Sequence, residues 1–245
     1  MNNYYQSVYS ELNNWKNEMR KKPSILDRAS KGLQNKFNEM LPEKYHEIMT
    51  AAIKNMIKGV LLGSEYTSKQ PIKSLPLQLR DSRAREKINF YKKTAMLEGA
   101  GTGAGGFFLG LADFPLLLGI KMKFLYEIAA IYGFDVKDYK ERLYILYIFQ
   151  LAFSSQSKTN KVFYEMEQWE KTSAELPEDI NLFNWRDFQQ EYRDYIDLAK
   201  LLQMMPFIGA VAGAYANLKL LDKLGKTAMN AYRMRLLKIE INTHT

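Results

Sequence analysis

The stretch "EGAGTGAGG" (Glu98–Gly106) sets Gly101, Gly103 and Gly106 in a G-x-G-x-x-G pattern. That spacing serves dinucleotide-binding turns, whose glycines let the backbone approach a pyrophosphate seated on a helix N-terminus. The chemistry needs a buried strand before the glycines and a helix after them. Here the preceding residues are "REKINFYKKTAMLE", charged and without an apolar β-branched run. A phosphate loop would close on Gly-Lys-Ser/Thr, and Phe107 follows Gly106 instead. The pattern therefore matches a nucleotide motif by spacing alone, and no cofactor is expected.

Other chemistry is sparse. There is no cysteine, which excludes disulfides, thiolate metal sites and a cysteine nucleophile, and fits a reducing compartment. Two histidines, His46 and His244, do not furnish a triad or a multi-histidine metal site. No paired-carboxylate or Ser/His arrangement stands out. No catalytic residue and no metal site are assigned. Three polar residues remain of interest because small and apolar residues surround them: Glu98, Asp113 and Asn217. One reading is a buried polar pocket for a ligand, such as a lipid headgroup. The other is capping, with Asp113 as the N-cap of a helix that has Pro115 in its first turn. Either way a buried carboxylate requires a partner.

The glycines also recur by fours. Gly99 with Gly103, Gly101 with Gly105, Gly106 with Gly110, and Gly209 with Gly213 all fit a small-xxx-small helix surface. Each glycine costs a helix interior roughly 1 kcal/mol against alanine, so close packing must offset them. The segment Gly99–Ile120 carries one charge, Asp113, and Leu201–Leu218 carries none. We expect these two segments to pack as a helical hairpin. A membrane span needs about 20 predominantly apolar residues. Asp113 and Pro115 interrupt the first segment, Pro206 interrupts the second, and the mean hydropathy is −0.35. A buried hairpin is expected rather than a span.

Helices must position these residues. Val8, Leu12, Trp15 and Met19 form one amphipathic stripe; Leu26, Ala29, Leu33, Phe37 and Met40 form a second. Tyr45, Ile48, Ala52, Ile53, Met56 and Val60 form a third, with Gly63 as its stop. Residues 66–79 hold two prolines and no period, and read as a loop. Helices are then expected from Arg80 to Glu98, from Asp113 to Gly133, after "DVKD", across 158–171, across 185–203, and from Phe207 to about Ile239. The fold class is all-α: a multi-helix bundle with a glycine/alanine-rich hairpin core. Residues 1–65 form an N-terminal layer, and 80–245 the main helical core of one domain.

The net charge is +8. Arg80–Lys93 carries six basic and two acidic residues, while residues 165–197 carry ten acidic and three basic. Lys219, Lys223, Lys226, Arg233, Arg235 and Lys238 fall at helical spacing beside the second small-residue segment. They could meet anionic lipid, at about 1 kcal/mol per residue near the surface. They could equally pair with the acidic region. Nucleic acid is the weaker partner, since no recognition-helix or RNA motif is present. The polar N-terminus has no apolar h-region, so a cytoplasmic protein is expected.

"EGAGTGAGG" followed by "LADFPLLL", and "PFIGAVAGAYANLKLLDKLGKTAMNAYRMRLL" near the end, resemble the EcsC family. The resemblance implies a helical protein encoded with an ABC transporter linked to exoprotein secretion, and it implies no reaction. It marks Glu98, the glycines, Asp113, Pro115, Pro206, Gly209, Gly213, Asn217 and the Ala231-Tyr232 pair. With the charge pattern, it implies an accessory protein peripheral to the inner face of the cell membrane, with transporter subunits as partners. The alternative is a lipid- or small-ligand-binding protein, or a hydrolase, using the Glu98, Asp113 and Asn217 pocket.

Overall fold

Val8, Leu12 and Trp15 recur at helical spacing because they are the buried face of the first helix, α1 (Asn3–Arg20), with Met19 partly buried below them. The computed structural model describes residues 3–22, 43–62, 70–102, 106–154, 156–184, 188, 192 and 210–243. The helices after α1 are α2 (Glu43–Leu62), α3 (Leu77–Thr102), α4 (Gly106–Tyr132), α5 (Tyr139–Phe153), α6 (Gln156–Glu167), α7 (Trp169–Ala174) and α8 (Ala210–Thr243). A short 3₁₀ turn spans Ile180–Leu182. Among the described residues there is no β-strand, so the chain is all-α. The stripe at residues 26–40, the helix expected across 185–203 apart from positions 188 and 192, and Pro206 with Gly209 lie outside the described residues.

Local chemistry sets several ends. Asp138 is extended, and its carboxylate accepts from the Lys140 N–H at 2.9 Å, capping α5. From Leu143 to Phe153 nearly every side chain of α5 is buried, so this helix runs through the core. At the end of α4, Gly133 takes φ +91°. Phe134 N–H then reaches the Ala129 carbonyl and Gly133 N–H reaches that of Ala130, the paired bonds of a Schellman stop. The Arg80 guanidinium donates to the Ile131 carbonyl at 2.9 Å and fills the space beside Gly133, where a Cβ would lie 2.8 Å from it.

One expectation is corrected. The chain is already helical from Gly106, so Asp113 lies inside α4 and is not its N-cap, and Pro115 sits mid-helix. A proline removes one i→i−4 hydrogen bond. Phe114 and Leu118, both fully buried, anchor the turns around it, and Pro115 itself is exposed, where water can replace the lost partner. The loop also ends earlier than expected, because α3 starts at Leu77. His46 falls in α2.

The main packing axis is α8 against α3, with α4, α5 and α1 also touching α8. Gly225 makes that approach close: a Cβ there would lie 2.6 Å from Ile88 Cγ1 and 2.7 Å from its Cδ1. Gly225→Ala should therefore lose about 1–2 kcal/mol through overpacking, despite the better helix propensity of alanine. Combining it with Ile88→Ala should return about 1 kcal/mol as coupling, read from urea melts of the four-member cycle. Additive effects would show that the contact is not what requires glycine.

Candidate functional site

Of the three polar residues picked out above, Asn217 has a described side chain. It is buried on α8 and accepts from the Lys121 ammonium of α4 at 3.1 Å. Lys121 is only 2 % exposed, so a buried cation stands beside Asn217. Glu98 lies near the end of α3 and Asp113 in the first half of α4; their side chains lie outside the description. Gly99 and Gly101 are in the last turn of α3, Gly106 and Gly110 open α4, and Gly213 is near the start of α8. Gly103, Gly105 and Gly209 lie outside the described residues, and so do the facing surfaces of the expected glycine/alanine hairpin. The Lys121–Asn217 bond does join the two helices that carry these segments.

The basic residues of α8 divide by face. Arg233 is buried, with its guanidinium on Asp81 (Nε at 2.9 Å, Nη2 at 2.5 Å) and on Glu11 at 2.8 Å. Arg235 grips Glu141 through two 2.6 Å bonds and lies over the rings of Phe134 and Tyr144. Lys226 and Lys92 share Asp222, and Lys238 reaches Glu170 at 3.0 Å. Lys219 and Lys223 stand exposed. The two arginines are thus part of the interior, and Lys238 makes one of the pairs with the acidic region that the charge pattern allowed.

Asp81 is the centre of this interior. It is fully buried, and besides Arg233 it accepts from Tyr132 at 2.5 Å and from Tyr4. Four donors from α1, α4 and α8 so converge on one carboxylate of α3. Burial alone would lower the Arg233 pKa, but the hydrogen bonds and charge of Asp81 raise it overall. The sequence signal for Asp81 was its place in the stripe Leu77, Asp81, Ala84, Ile88, Tyr91: a carboxylate at a core position. Beside it, Tyr232 stacks with Tyr132 and Phe134, and Tyr144 donates to the Ala231 carbonyl at 3.0 Å. The Ala231-Tyr232 pair is therefore core.

A second polar cluster opens to solvent. Glu127 of α4 is buried; it accepts from Tyr91 at 3.1 Å and lies 2.6 Å from the Lys87 ammonium. It sits at the wall of a cleft of about 440 Å³, with Arg83, Phe90 and Gln70 around it. Burial, then the Glu127 charge, pushes the Tyr91 phenol up. Sequence reasoning missed both Lys121 and Glu127, which sit in otherwise apolar turns of α4.

Large apolar side chains are exposed at Leu79, Phe90, Leu116, Tyr164 and Leu182. Among the described residues, no helix is long and apolar enough to cross a membrane. The profile described as "EcsC protein family" matches residues 6–237. The chain is 45 % identical over 234 residues to "Protein EcsC" of Bacillus subtilis (strain 168), covering 95 % of this chain and 96 % of that one. It is 29 % identical over 230 residues to "Uncharacterized protein YdbA" of the same strain, covering 90 % and 85 %. No solved structure matches.

Arg233→Met strands a buried carboxylate and should cost about 3–5 kcal/mol in a denaturant melt. Asp81→Leu together with Arg233→Met should cost less than the sum of the single changes, because no charge is left unpaired. The core phenols add a pH dependence. Burial pushes Tyr132, Tyr192 and Tyr232 well above their ordinary value of 10, and Tyr126 up to about 12. Between these values the folded chain holds protons that the unfolded chain releases, so stability is intact below pH 10 and falls as pH rises through about 12. Phenolate absorbance of this buried set should rise in one step with loss of helical circular dichroism. Their ionisation with the helices intact would contradict the burial.

Proposed function

The chain belongs to the EcsC family, and from that premise we propose that it is a non-enzymatic accessory protein that docks at the cytoplasmic membrane face, beside an ABC transporter or secretion system. The observation that carries the docking half is the outer side of α2 and α4. Residues 48–62 and 114–126 hold Lys54, Lys58, Lys121 and Lys123 and no carboxylate. Lys54, Lys58 and Lys123 are exposed, and Leu116 of α4 is 65 % exposed. Exposed lysines and an exposed apolar side chain on the same pair of helices suit an anionic lipid surface, where each lysine contributes about 1 kcal/mol. With Arg233 and Arg235 turned inward, this side takes the role first considered for α8, where Lys219, Lys223, Lys226 and Lys238 still add positive field.

A second reading has one supporting observation. The buried Lys121 ammonium beside Asn217 would suit an acidic group of a small ligand, in the pocket considered for Glu98, Asp113 and Asn217. Mass spectrometry of material extracted from the purified protein tests it: a reproducible co-purifying anion favours it, and an empty protein counts against it.

For the docking reading, the chain should sediment with vesicles of phosphatidylglycerol and phosphatidylcholine at low salt and be released as salt rises. Changing Lys54, Lys58 and Lys123 together to Glu should abolish sedimentation. Changing Lys226 and Lys238 should weaken it less. No sedimentation at either salt would remove the docking reading.

A further inference from the structure

The helices α2 and α4 do not close on one another along their full length. A groove of about 330 Å³ runs between them, open along one side. Met56, Val60, Pro115 and Met122 line it, and Lys123 stands at its rim. Tyr126 adds its ring only, since its hydroxyl donates to the Val60 carbonyl at 2.8 Å.

Two glycines make this groove. Gly59 on α2 and Gly119 on α4 both line it, and a Cβ added at either would meet no atom within 4 Å. Packing therefore does not require them, in contrast to Gly225. Backbone conformation does not require them either, for among the described glycines a positive φ occurs at Gly133. A glycine inside a helix costs stability against alanine. What both positions keep is open space between the helices.

The groove has a definite polarity. Its walls are apolar apart from Asn55 on α2, while Lys123 is exposed and has no ion-pair partner among the described residues. Of the two carboxylates that flank the α4 wall, Asp113 and Glu127, Glu127 is held by Tyr91 and Lys87 of α3. The complementary occupant is an apolar chain with an anionic end. The volume lies at the low end of small-ligand cavities, roughly 300–1,000 Å³, which favours one unbranched chain over a ring system.

We propose that this groove takes a single acyl chain of an anionic phospholipid, with the acidic headgroup on Lys123. The inference rests on the membrane-docking reading and narrows it to one site. Docking brings the lipid to α2 and α4, and the groove gives one chain a protein-lined place to leave the bilayer.

The test uses the full chain with phosphatidylcholine vesicles containing phosphatidylglycerol that bears a diazirine in one acyl chain. After irradiation, adducts are mapped by mass spectrometry. They should concentrate on residues 52–60 and 115–126. Gly119→Leu should remove them while the protein still sediments with the vesicles. Lys123→Gln should reduce them about fivefold, as loss of one surface cation implies. Gly119→Ala should raise the melting temperature, which shows that the position is not needed for folding. Sedimentation with adducts spread evenly over exposed helices, or unchanged in Gly119→Leu, overturns the groove and leaves docking standing. If the chain does not sediment, docking falls, and a diazirine-bearing fatty acid in buffer decides the rest. Labelling of the groove by that soluble chain keeps the pocket and overturns its bilayer source; no labelling overturns both.

Discussion

The buried Asp81–Arg233 pair is the constraint on which the bundle depends. Each ion is costly to remove from water, and the pair is tolerated only when hydrogen bonds satisfy what remains. Here Tyr4 and Tyr132 complete the carboxylate, and Glu11 with Asn230 completes the guanidinium. The donors come from α1, α4 and α8, so a sliding of α8 along α3 or a lifting of α1 would break several bonds together. The helix α1 is thus tied to the rest of the bundle by charge as well as by Val8, Leu12 and Trp15.

The same pairing redistributes the positive charge. A basic run along α8 suggests an exposed stripe, but the internal carboxylates Asp81 and Glu141 take its two arginines. Exposed lysines with no ion-pair partner among the described residues remain on α2 and α4 instead: Lys54, Lys58 and Lys123. Both family membership and this face motivate the accessory role. The glycines sort in a related way: Gly133 answers to backbone conformation, Gly225 to helix contact, and Gly59 and Gly119 to neither.

Much of the fold was legible because helices announce themselves by apolar period and by end chemistry. The stripes of α1 and α2, the helix start after "DVKD" and the stop at Gly133 were all readable. Proline and aspartate at 113–115 misled, because they carry helix-start signals whatever their context; burial of Phe114 and Leu118 overrides them. Charge was the least legible property. Arg233 and Lys238 lie on one helix and have opposite surroundings, which depends on where Asp81 arrives from far along the chain. Asp81 itself could have been found as the charged member of an apolar stripe. The cavities were not legible, since a glycine that leaves space looks in sequence like a glycine that fills a contact.

The absence of cysteine allows a direct test of which side meets the membrane. An environment-sensitive fluorophore is attached to Leu116→Cys and, separately, to Leu182→Cys, an exposed apolar site in the 3₁₀ turn. Each protein is titrated with phosphatidylglycerol-containing vesicles. A blue shift at residue 116, with none at residue 182, is the predicted result. No shift at residue 116, or an equal shift at both positions, would contradict docking through α2 and α4.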